Sequence, residues 1–376
     1  MKYTMFLLLF FPLSLFASDR PVWTIDSKKW NLPQRTHGPE AWVDPRYRIQ
    51  FTPDDKVLIS FFDRRPQTEL ATKDTPEKSG HFFVALLLSR ETGELIRRVE
   101  WPVIGESGPS QQFRYGSRIS PLRSGGYVGI FNRRLQVLDS SFNVIHERIL
   151  ETSEQRGTAF EIITPLYGQF FIFLSHEDRN WSAEIIDSKT FKIAERLDEK
   201  VMLMDIWGDR LLATWRTADV PESRFFEKRI GASQWNDLVG LHERNAEARY
   251  IYNGTIIVTG TTGGPDFRGF WFSIEDGKKN DPASRGLLFK PSLNTSIVAS
   301  KRSHLSAIRR MLDLNSMDWI EAYDLSTQQV LLATRRYSAE QIRDYAISPD
   351  GMSIVLMTIN RIELYTVPPE RTNNRR

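Results

Sequence analysis

Residues that often carry out chemistry are few in this chain and form no local motif. The six histidines, no two of them within five positions of each other, are His37, His81, His146, His176, His242 and His304. Because zinc sites draw closely spaced ligand pairs from a sequence, the spacing predicts no metal site. His176-Glu177-Asp178 has no second spaced ligand and is interpreted as a solvated hairpin. The chain has no cysteine, which excludes thiol chemistry and disulfides.

Two further patterns also favour structure over chemistry. Residues Gly260 to Pro265 are glycine-rich, but no helix is predicted after them to present its N-terminus to a phosphate, so they are interpreted as a connection. Several tryptophans fall in or beside predicted strands, where core packing explains them better than ligand stacking. They are Trp207, Trp215, Trp235, Trp271 and Trp319.

Arginine is the residue type whose placement suggests a binding site. Arginines recur at one corresponding position of a repeated strand pattern, and we predict that they face an anionic ligand. The candidate residues are Arg64, Arg65, Arg133, Arg134, Arg179, Arg216, Arg268, Arg302 and Arg361. The short turns ending at Arg134 and Arg361 carry most of this signal, because long loops hold an arginine by chance. The alternative is a set of solvated charges around a rim.

The elements that would position these arginines are seven repeated strand–turn–strand units. Their turns are Asp54-Asp55, Gly125-Gly126, Gly168, Gly208, Asn253-Gly254, Asn294 and Asp350-Gly351. Each precedes an apolar, strand-like run, and most of the spacings are roughly 40 to 46 residues, the length of a four-stranded propeller blade. The two longer spacings require insertions at residues 62–80 and 301–318. Turn signatures at Asp139-Ser140, Asp187-Ser188 and Asp324 predict a second hairpin in the units, with Gln234 to Asp237 as the counterpart in the fourth unit.

The two ends of the chain are predicted to meet. The last unit has only three strands, and Val22 to Ile25 is a strand that could supply the fourth and cover its edge. We therefore predict an all-β fold, a seven-bladed β-propeller closed by an N-terminal strand that completes the last blade. An open pair of β-sandwiches is the alternative.

A family resemblance supports this fold. The turn Ser348-Pro349-Asp350-Gly351 before Ile354, with its counterpart Phe51 to Asp55, resembles the repeat of tryptophan–aspartate and YVTN-type propellers. The Gly-His and Trp-Asp dipeptides of the strict repeat are absent. The resemblance therefore implies a fold, and no activity comes with it.

The chain is predicted to be exported. Residues 1–17 read as a signal peptide, with Lys2, the apolar stretch Phe6 to Leu15 and the small residue Ala17; an uncleaved anchor is the alternative. Residues 18–370 form the single propeller, and 371–376 are expected to be a disordered basic tail. No later apolar run is long enough to span a membrane. We expect a secreted or periplasmic protein.

All seven long connections are predicted to lie on one face of the disc. Residues 62–80, 216–228, 261–269 and 301–318 join second to third strands, and residues 102–113, 236–246 and 278–290 join neighbouring blades. Any site is therefore expected on this face, near the central channel. Within 301–318, Ser303 to Asp313 has the spacing of a short amphipathic helix.

Two function classes follow. The net charge of +3 gives no general attraction to nucleic acid. The first class is an interaction scaffold that binds a partner protein or an anionic small molecule or glycan on the long-loop face. The alternative is an enzyme with its site in the channel, of a quinoprotein-like, lactonase-like or glycan-cleaving type, whose residues come from several blades. The sequence leaves open whether the protein is an enzyme and which cofactor it would use.

Overall fold

The computed structural model describes β-strands throughout. The described residues are 20–30, 32, 48–64, 81–102, 118–131, 133–150, 159–177, 180–197, 201–215, 223–243, 247–259, 271–272, 279–280, 289–304, 317–337 and 342–369. In these ranges there is no α-helix, and a 3-10 turn at Ser27–Trp30 is the one helical element. The predicted all-β class is confirmed.

The strands, in chain order, are β1 (Trp23–Asp26), β2 (Arg48–Phe51), β3 (Lys56–Arg64), β4 (His81–Ser89), β5 (Leu95–Pro102), β6 (Arg118–Pro121), β7 (Tyr127–Phe131), β8 (Arg134–Leu138), β9 (Val144–Ile149), β10 (Ala159–Ile163), β11 (Phe170–Glu177), β12 (Asn180–Asp187), β13 (Ile193–Leu197), β14 (Val201–Trp207), β15 (Arg210–Trp215), β16 (Ser223–Arg229), β17 (Asn236–Glu243), β18 (Glu247–Tyr250), β19 (Ile256–Thr259), β20 (Trp271–Phe272), β21 (Lys279–Asn280), β22 (Phe289–Pro291), β23 (Ile297–His304), β24 (Met317–Asp324), β25 (Gln329–Ala333), β26 (Asp344–Ile347), β27 (Ser353–Met357) and β28 (Arg361–Thr366).

These strands form eight antiparallel sheets. Sheets 1 to 4 are four-stranded and comprise β2–β5, β6–β9, β10–β13 and β14–β17. Sheets 5 and 6 are two-stranded, β18–β19 and β20–β21, and sheet 7 is β22–β25. Sheet 8 is β26–β28 with β1. Six four-stranded meanders of this kind form a β-propeller arrangement, as the repeated units predicted.

The turn between the first and second strand of each unit forms where the sequence predicted it. All seven predicted turns lie in these connections, and most contain a residue with positive φ, such as Asp55 and Gly351. Side chains fix the turn before β27: Ser348 Oγ accepts the N–H of Ser353 at 2.8 Å, and Asp350 Oδ1 accepts that of Met352 at 2.9 Å. Such side-chain bonds stabilise a turn before any strand pairs.

The second predicted hairpin is confirmed in three units. Asp139 Oδ1 accepts the N–H groups of Ser141 and Asn143 at 2.7 and 2.8 Å, and Asp187 and Asp324 cap the corresponding turns. In the fourth unit the turn lies before the predicted residues, Gln234 to Asp237. The turn lies around Gly231, which has positive φ, and Asn236 already begins β17.

Sheet 8 contains strands from both ends of the chain. β1 pairs antiparallel with β28, with Trp23 opposite Leu364 and Ile25 opposite Ile362. Before β1, the N–H of Val22 donates to the carbonyl of Leu364 at 2.6 Å. The edge of β28 is therefore covered by residues more than 330 positions away.

The hydrophobic core lies in layers between neighbouring sheets. Each of its seven clusters draws from two sheets, in the order 8 with 1, 1 with 2, 2 with 3, 3 with 4, 4 with 5, 5 with 7, and 7 with 8. Ile25 and Val355 of sheet 8 pack with Ile59 of sheet 1, for example, and Ile257 of sheet 5 packs with Val298 of sheet 7. Sheets 1 to 5, 7 and 8 thus each contribute to two clusters, which fits their apolar strands.

A polar junction reinforces the layer between sheets 8 and 1. Arg90, in the β4–β5 turn, donates from Nη1 to Asp350 at 2.9 Å and also contacts Asp55, while its Nη2 donates to Ser353 Oγ at 2.9 Å. The backbone carbonyl of Arg90 accepts the indole N–H of Trp23 at 2.7 Å. The planar guanidinium presents its donors in a fixed fork, which suits it to these several acceptors.

The prediction of a helix from Ser303 to Asp313 was wrong for its first two residues. Ser303 and His304 extend β23, opposite Asp318 and Met317 of β24. Pairing with a buried strand outweighs the weak helical spacing. Residues 305–313 lie outside the described residues. In the part of the chain that is described, no helix has the length and apolar character needed to cross a membrane.

Candidate binding site in the central channel

The first strands of the sheets come together at the centre of the molecule. β2 lies beside β26 and β6, β14 lies beside β10 and β18, and β22 lies beside β26. Each is the inner edge of its sheet. In a β-propeller arrangement the inner strands surround a central channel, and these first strands take that position. We call its end beside the first-to-second turns the turn end and the opposite end the loop end.

The lining of this channel is charged. Side chains alternate along a strand, so that Ile49 and Phe51 of β2 are buried while Arg48 is exposed. In seven first strands such an alternating or terminal position holds an ionisable residue. The residues are Arg48, Arg118, Glu161, Asp205, Arg249, Lys290 and Asp344, of which Asp205 is buried and does not line the channel.

Asp344 ties three sheets together. Its Oδ2 accepts the backbone N–H of Ile49 in sheet 1 at 2.8 Å, and its Oδ1 pairs with Lys290 of sheet 7. Lys290 Nζ also donates to the carbonyl of Tyr345 at 2.6 Å and lies 4.8 Å from the centre of the Tyr345 ring. Both Asp344 oxygens are thus engaged in holding neighbouring first strands in place.

Asp205 makes a similar link between sheets 4 and 5, but it is buried. It accepts the N–H of Ile206 at 2.8 Å and that of Tyr250, in β18, at 2.9 Å. Burial raises the pKa of Asp205 to about 6, although the nearby charge of Arg249 and the two hydrogen bonds favour the ionised form. A register shift in β14 between Leu203 and Asp205 turns this carboxyl toward β18.

Three guanidinium groups share the channel. Arg118 donates to Glu161 Oε1 at 2.9 Å. Arg48 is open to solvent, but protein surrounds it on most sides. This desolvation and the charge of Arg118 lower the pKa of Arg48, Arg249 acts in the same direction, and Asp344 and Glu161 act against it. Arg48 therefore lies close enough to charges from four other sheets to interact with them.

Arg48 and Arg249 have capacity to bind a ligand. Among the described residues no carboxylate lies within ion-pair distance of either. Each guanidinium offers a fork of donors that matches a carboxylate or a phosphate. Arginines held near each other repel, and a bound anion would relieve that repulsion. The arrangement can therefore bind an anion.

A hydrogen bond crosses the turn end of this channel. Arg123, in the β6–β7 turn, donates from Nη2 to Asn294 Oδ1 at 3.2 Å, and the N–H of Asn294 donates to the carbonyl of Pro349 at 2.9 Å. These turns belong to sheets 2, 7 and 8. The loop end is therefore the freer approach to Arg48.

The nine arginines proposed from the sequence are distributed differently. Arg134 pairs with Glu147 at 2.5 Å, Arg302 is buried and pairs with Glu321 at 2.8 Å, and Arg361 lies 3.9 Å from Glu363. Each of these pairs stays within one sheet, so the structure does not bring these three arginines together. Arg133 has positive φ in the β7–β8 turn, and Arg64 ends β3.

The remaining four arginines, Arg65, Arg179, Arg216 and Arg268, lie outside the described residues. An anion-binding role for the set of nine stays a prediction. The sequence reasoning did not select Arg48, Arg118 or Arg249. A signal was present, because Arg48 and Asp344 each lie five residues before the proline of the same turn, at Pro53 and Pro349.

A metal site is a separate question. Within the described part of the chain, no three His, Asp or Glu side chains are grouped so that they could hold a metal ion. His176, Glu177 and the residue after them were interpreted as a hairpin, and the first two end β11.

Comparison with solved structures supports the fold class. A crystal structure of a mitotic checkpoint complex matches 95% of this chain and 95% of its own at 10% identity, with a TM-score of 0.54. Oligogalacturonate lyase in complex with manganese matches 86% of this chain and 96% of its own at 9% identity, with a TM-score of 0.52.

A third structure, hydrazine synthase of Kuenenia stuttgartiensis, matches 89% of this chain and 99% of its own at 12% identity, with a TM-score of 0.50. Identities this low show the fold alone. No family model matches the chain, and no curated protein matches it. The class defined by fold and comparisons is the β-propeller, and the resemblance to propeller repeats is confirmed at the level of the fold.

Proposed function

We propose that this protein is a binding propeller that holds an anionic ligand in its central channel. The observation that carries the proposal is that Arg48 lies within electrostatic range of Arg118 and Arg249, which come from two other sheets, and that Arg48 and Arg249 are exposed. Glu161 and Asp344 lie near these cations and neutralise part of their charge. A ligand with one or more carboxylate, phosphate or sulfate groups fits this arrangement.

The proposed site requires a closed ring, and we propose that the ring has seven blades. Sheets 5 and 6 would form one blade, since β19 lies beside β20. The order of the seven core clusters supports this count. Each cluster joins neighbouring blades, and one of them joins the last sheet, sheet 8, to the first, sheet 1. In this arrangement β1 is the fourth strand of the last blade and closes the ring.

The free energy of binding would come from charged groups that are partly shielded from water. A hydrogen bond to a charged group contributes about 1.5–3 kcal/mol when its partners are removed from water. Two guanidinium groups that bind one anion would therefore offset part of the cost of immobilising the ligand.

Titration calorimetry with citrate, inorganic phosphate and inorganic sulfate tests the proposal. We expect at least one of these anions to bind, and we expect Arg48→Gln and Arg249→Gln each to weaken it about tenfold or more, the equivalent of about 1.4 kcal/mol. The matched control is Arg229→Gln, an exposed arginine paired with Asp209 on the turn side of β16. It should leave affinity unchanged.

Two results would refute the channel site. One is that none of the three anions binds the folded protein. The other is that one binds equally well to the wild type, Arg48→Gln and Arg249→Gln. Circular dichroism spectra and melting temperatures of the variants ensure that a loss of binding is not a loss of fold.

A second candidate function is catalysis in the same channel. The observation that favours it is Glu161, a carboxylate whose side chain is 43% exposed beside Arg118, a pair suited to proton transfer near an anionic substrate. Two similar structures are enzymes by name, a lyase and a synthase. Cleavage of an oligouronate by the wild type, and its loss in Glu161→Gln, would favour this candidate over simple binding.

We also propose that the protein is exported, to the periplasm or outside the cell, and that its partner is a protein, a glycan or a small anion found there. The support is the apolar N-terminal stretch, Phe6 to Leu15, followed by Ala17. Cell fractionation and N-terminal sequencing of the mature chain test this. Recovery of the intact N-terminus in the cytosol would contradict it.

A further inference from the structure

A second pocket lies at the turn end, outside the channel. Three consecutive first-to-second turns, those of sheets 2, 3 and 4, enclose a volume of about 470 Å³ together with the β12–β13 turn. Its lining includes Arg123, Ser124, Tyr167, Gln169, Lys189 and Gly208. Its walls come from different residues than those of the channel site.

Tyr167 forms a rigid aromatic platform in this pocket. Tyr167 is 55% exposed. The ring stacks on Trp207 with centroids 5.1 Å apart and an interplanar angle of 27°. Trp207 in turn packs against the core between sheets 4 and 5. One face of Tyr167 is thus supported by a ring that the core holds in place.

The backbone fixes the platform as well. The carbonyl of Tyr167 accepts the N–H of Gly208 at 3.0 Å, and the two turns form a parallel bridge between Tyr167 and Trp207. Gly168 has φ +114°, and a Cβ there would lie 3.1 Å from the Cα of Gly208. Only glycine allows this close approach of the two turns. The exposed ring is therefore held by specific local structure.

The surroundings of the platform are polar and cationic. Lys189 is exposed, and its ammonium pairs with no described carboxylate. Arg123 uses Nη2 for Asn294 and leaves its other donors without a described acceptor. Gln169 and Ser124 add amide and hydroxyl groups, and Ser124 Oγ lies 2.9 Å from Ser188 Oγ. Among the described residues, no Asp or Glu lines the pocket.

We infer that this pocket binds a saccharide that carries a carboxylate or sulfate group. The aliphatic C–H face of a sugar ring packs on an aromatic ring, which explains an exposed and supported Tyr167. The sugar hydroxyls require the hydrogen-bonding partners that Gln169 and Ser124 supply. Lys189 and Arg123 pair with the acidic group. The pocket is open to solvent at the surface, which suits one ring of a longer chain.

Calorimetry with three oligosaccharides of equal length tests the inference: an alginate hexasaccharide, a heparin hexasaccharide and maltohexaose. They supply carboxylate, sulfate and no charge. We expect at least one acidic probe to bind at least tenfold more tightly than maltohexaose. Quenching of tryptophan fluorescence should accompany binding, because Trp207 lies under the platform.

Four variants locate the bound sugar. Tyr167→Ala should weaken binding tenfold or more, whereas Tyr167→Phe, which keeps the platform, should bind like the wild type. Lys189→Gln should weaken the acidic probes selectively. Its control is Lys192→Gln, an exposed lysine of the same turn that does not line the pocket, and this variant should bind normally.

The outcomes separate this pocket from the channel site. Arg48→Gln should not change binding of the hexasaccharides at the turn end, and Tyr167→Ala should not change binding of citrate or phosphate in the channel. The inference is overturned if no acidic hexasaccharide binds, if Tyr167→Ala binds like the wild type, or if maltohexaose binds as well as the acidic probes. Preferential binding of a glutamate-rich peptide would overturn the assignment to a saccharide.

Discussion

At the scale of single residues, the fold holds the carboxyl group of Asp205 in an environment that opposes its ionisation. Asp205 is buried, and burial outweighs two backbone hydrogen bonds and the charge of Arg249 to raise its pKa to about 6. The carboxyl nevertheless links β14 to β18 through the N–H of Tyr250. Asp205 therefore links two neighbouring first strands. It also makes the free energy of unfolding of the protein depend on pH.

The first prediction concerns this pH dependence. Because the pKa of Asp205 is higher in the folded state than its ordinary value of 3.8, the folded state binds the proton more tightly. The contribution of Asp205 to stability is therefore full below pH 4 and is lost as pH rises to about 6. We expect Asp205→Asn to gain about 3 kcal/mol relative to wild type between pH 4 and pH 7.

Urea unfolding at a series of pH values measures this difference. The measured quantity is the difference in unfolding free energy between the wild type and Asp205→Asn at each pH. Groups that titrate in both proteins cancel in this difference, so only its change with pH is the test. Parallel curves of unfolding free energy against pH for the two proteins would contradict the assignment.

At the scale of elements, turns with positive φ determine where each unit begins. Gly125 and Gly126 both have positive φ in the β6–β7 turn, yet they differ in their surroundings. A Cβ on Gly126 would lie 2.2 Å from the carbonyl oxygen of Leu138, whereas a Cβ on Gly125 meets nothing within 4 Å. One turn thus offers a matched pair of glycines.

The second prediction uses that pair. Gly125→Ala should cost about 1 kcal/mol of unfolding free energy, because alanine is strained at positive φ. Gly126→Ala has the same strain and also forces the turn away from β8, so its cost should be about 3 kcal/mol or more. Denaturant unfolding measures both costs. Equal costs for the two substitutions would show that the close approach to Leu138 has no energetic weight.

The strands and turns are also the features that the sequence predicted best. Seven turns and the strands after them were predicted correctly, because turn chemistry at residues such as Asp350 and Gly351 is local. Ser303 was assigned to the wrong kind of element, because its pairing with Asp318 depends on a strand that follows a long connection. Local spacing contains no information about such a partner.

At the scale of the whole molecule, the ends of the chain meet in sheet 8. β1 covers β28, and Ile25 and Trp30 are buried in the cluster shared with sheet 1. The indole of Trp23 also donates to the backbone of Arg90, which contacts Asp350. Residues from positions 20 to 30 thus hold the first and last sheets together.

The third prediction tests this closure. Deletion of residues 20–31 exposes the edge of β28 and removes buried apolar side chains, so we expect a loss of about 3 kcal/mol or more and a lower melting temperature. Trimming residues 372–376 is the control and should leave the melting temperature unchanged. An unchanged melting temperature after the N-terminal deletion would refute closure of the ring by β1.

The sequence by itself determined the all-β class, the seven turns and the pairing tendency of the two ends, because these depend on local φ preferences and on alternation of apolar residues. Only the tertiary structure decided which charges meet. Arg48, Arg118 and Arg249 are separated by tens of residues and come together because first strands converge on one channel. Likewise Tyr167 became a platform only when Trp207 of the next sheet lay beneath it. Spacing along a chain cannot record distances that packing between sheets creates.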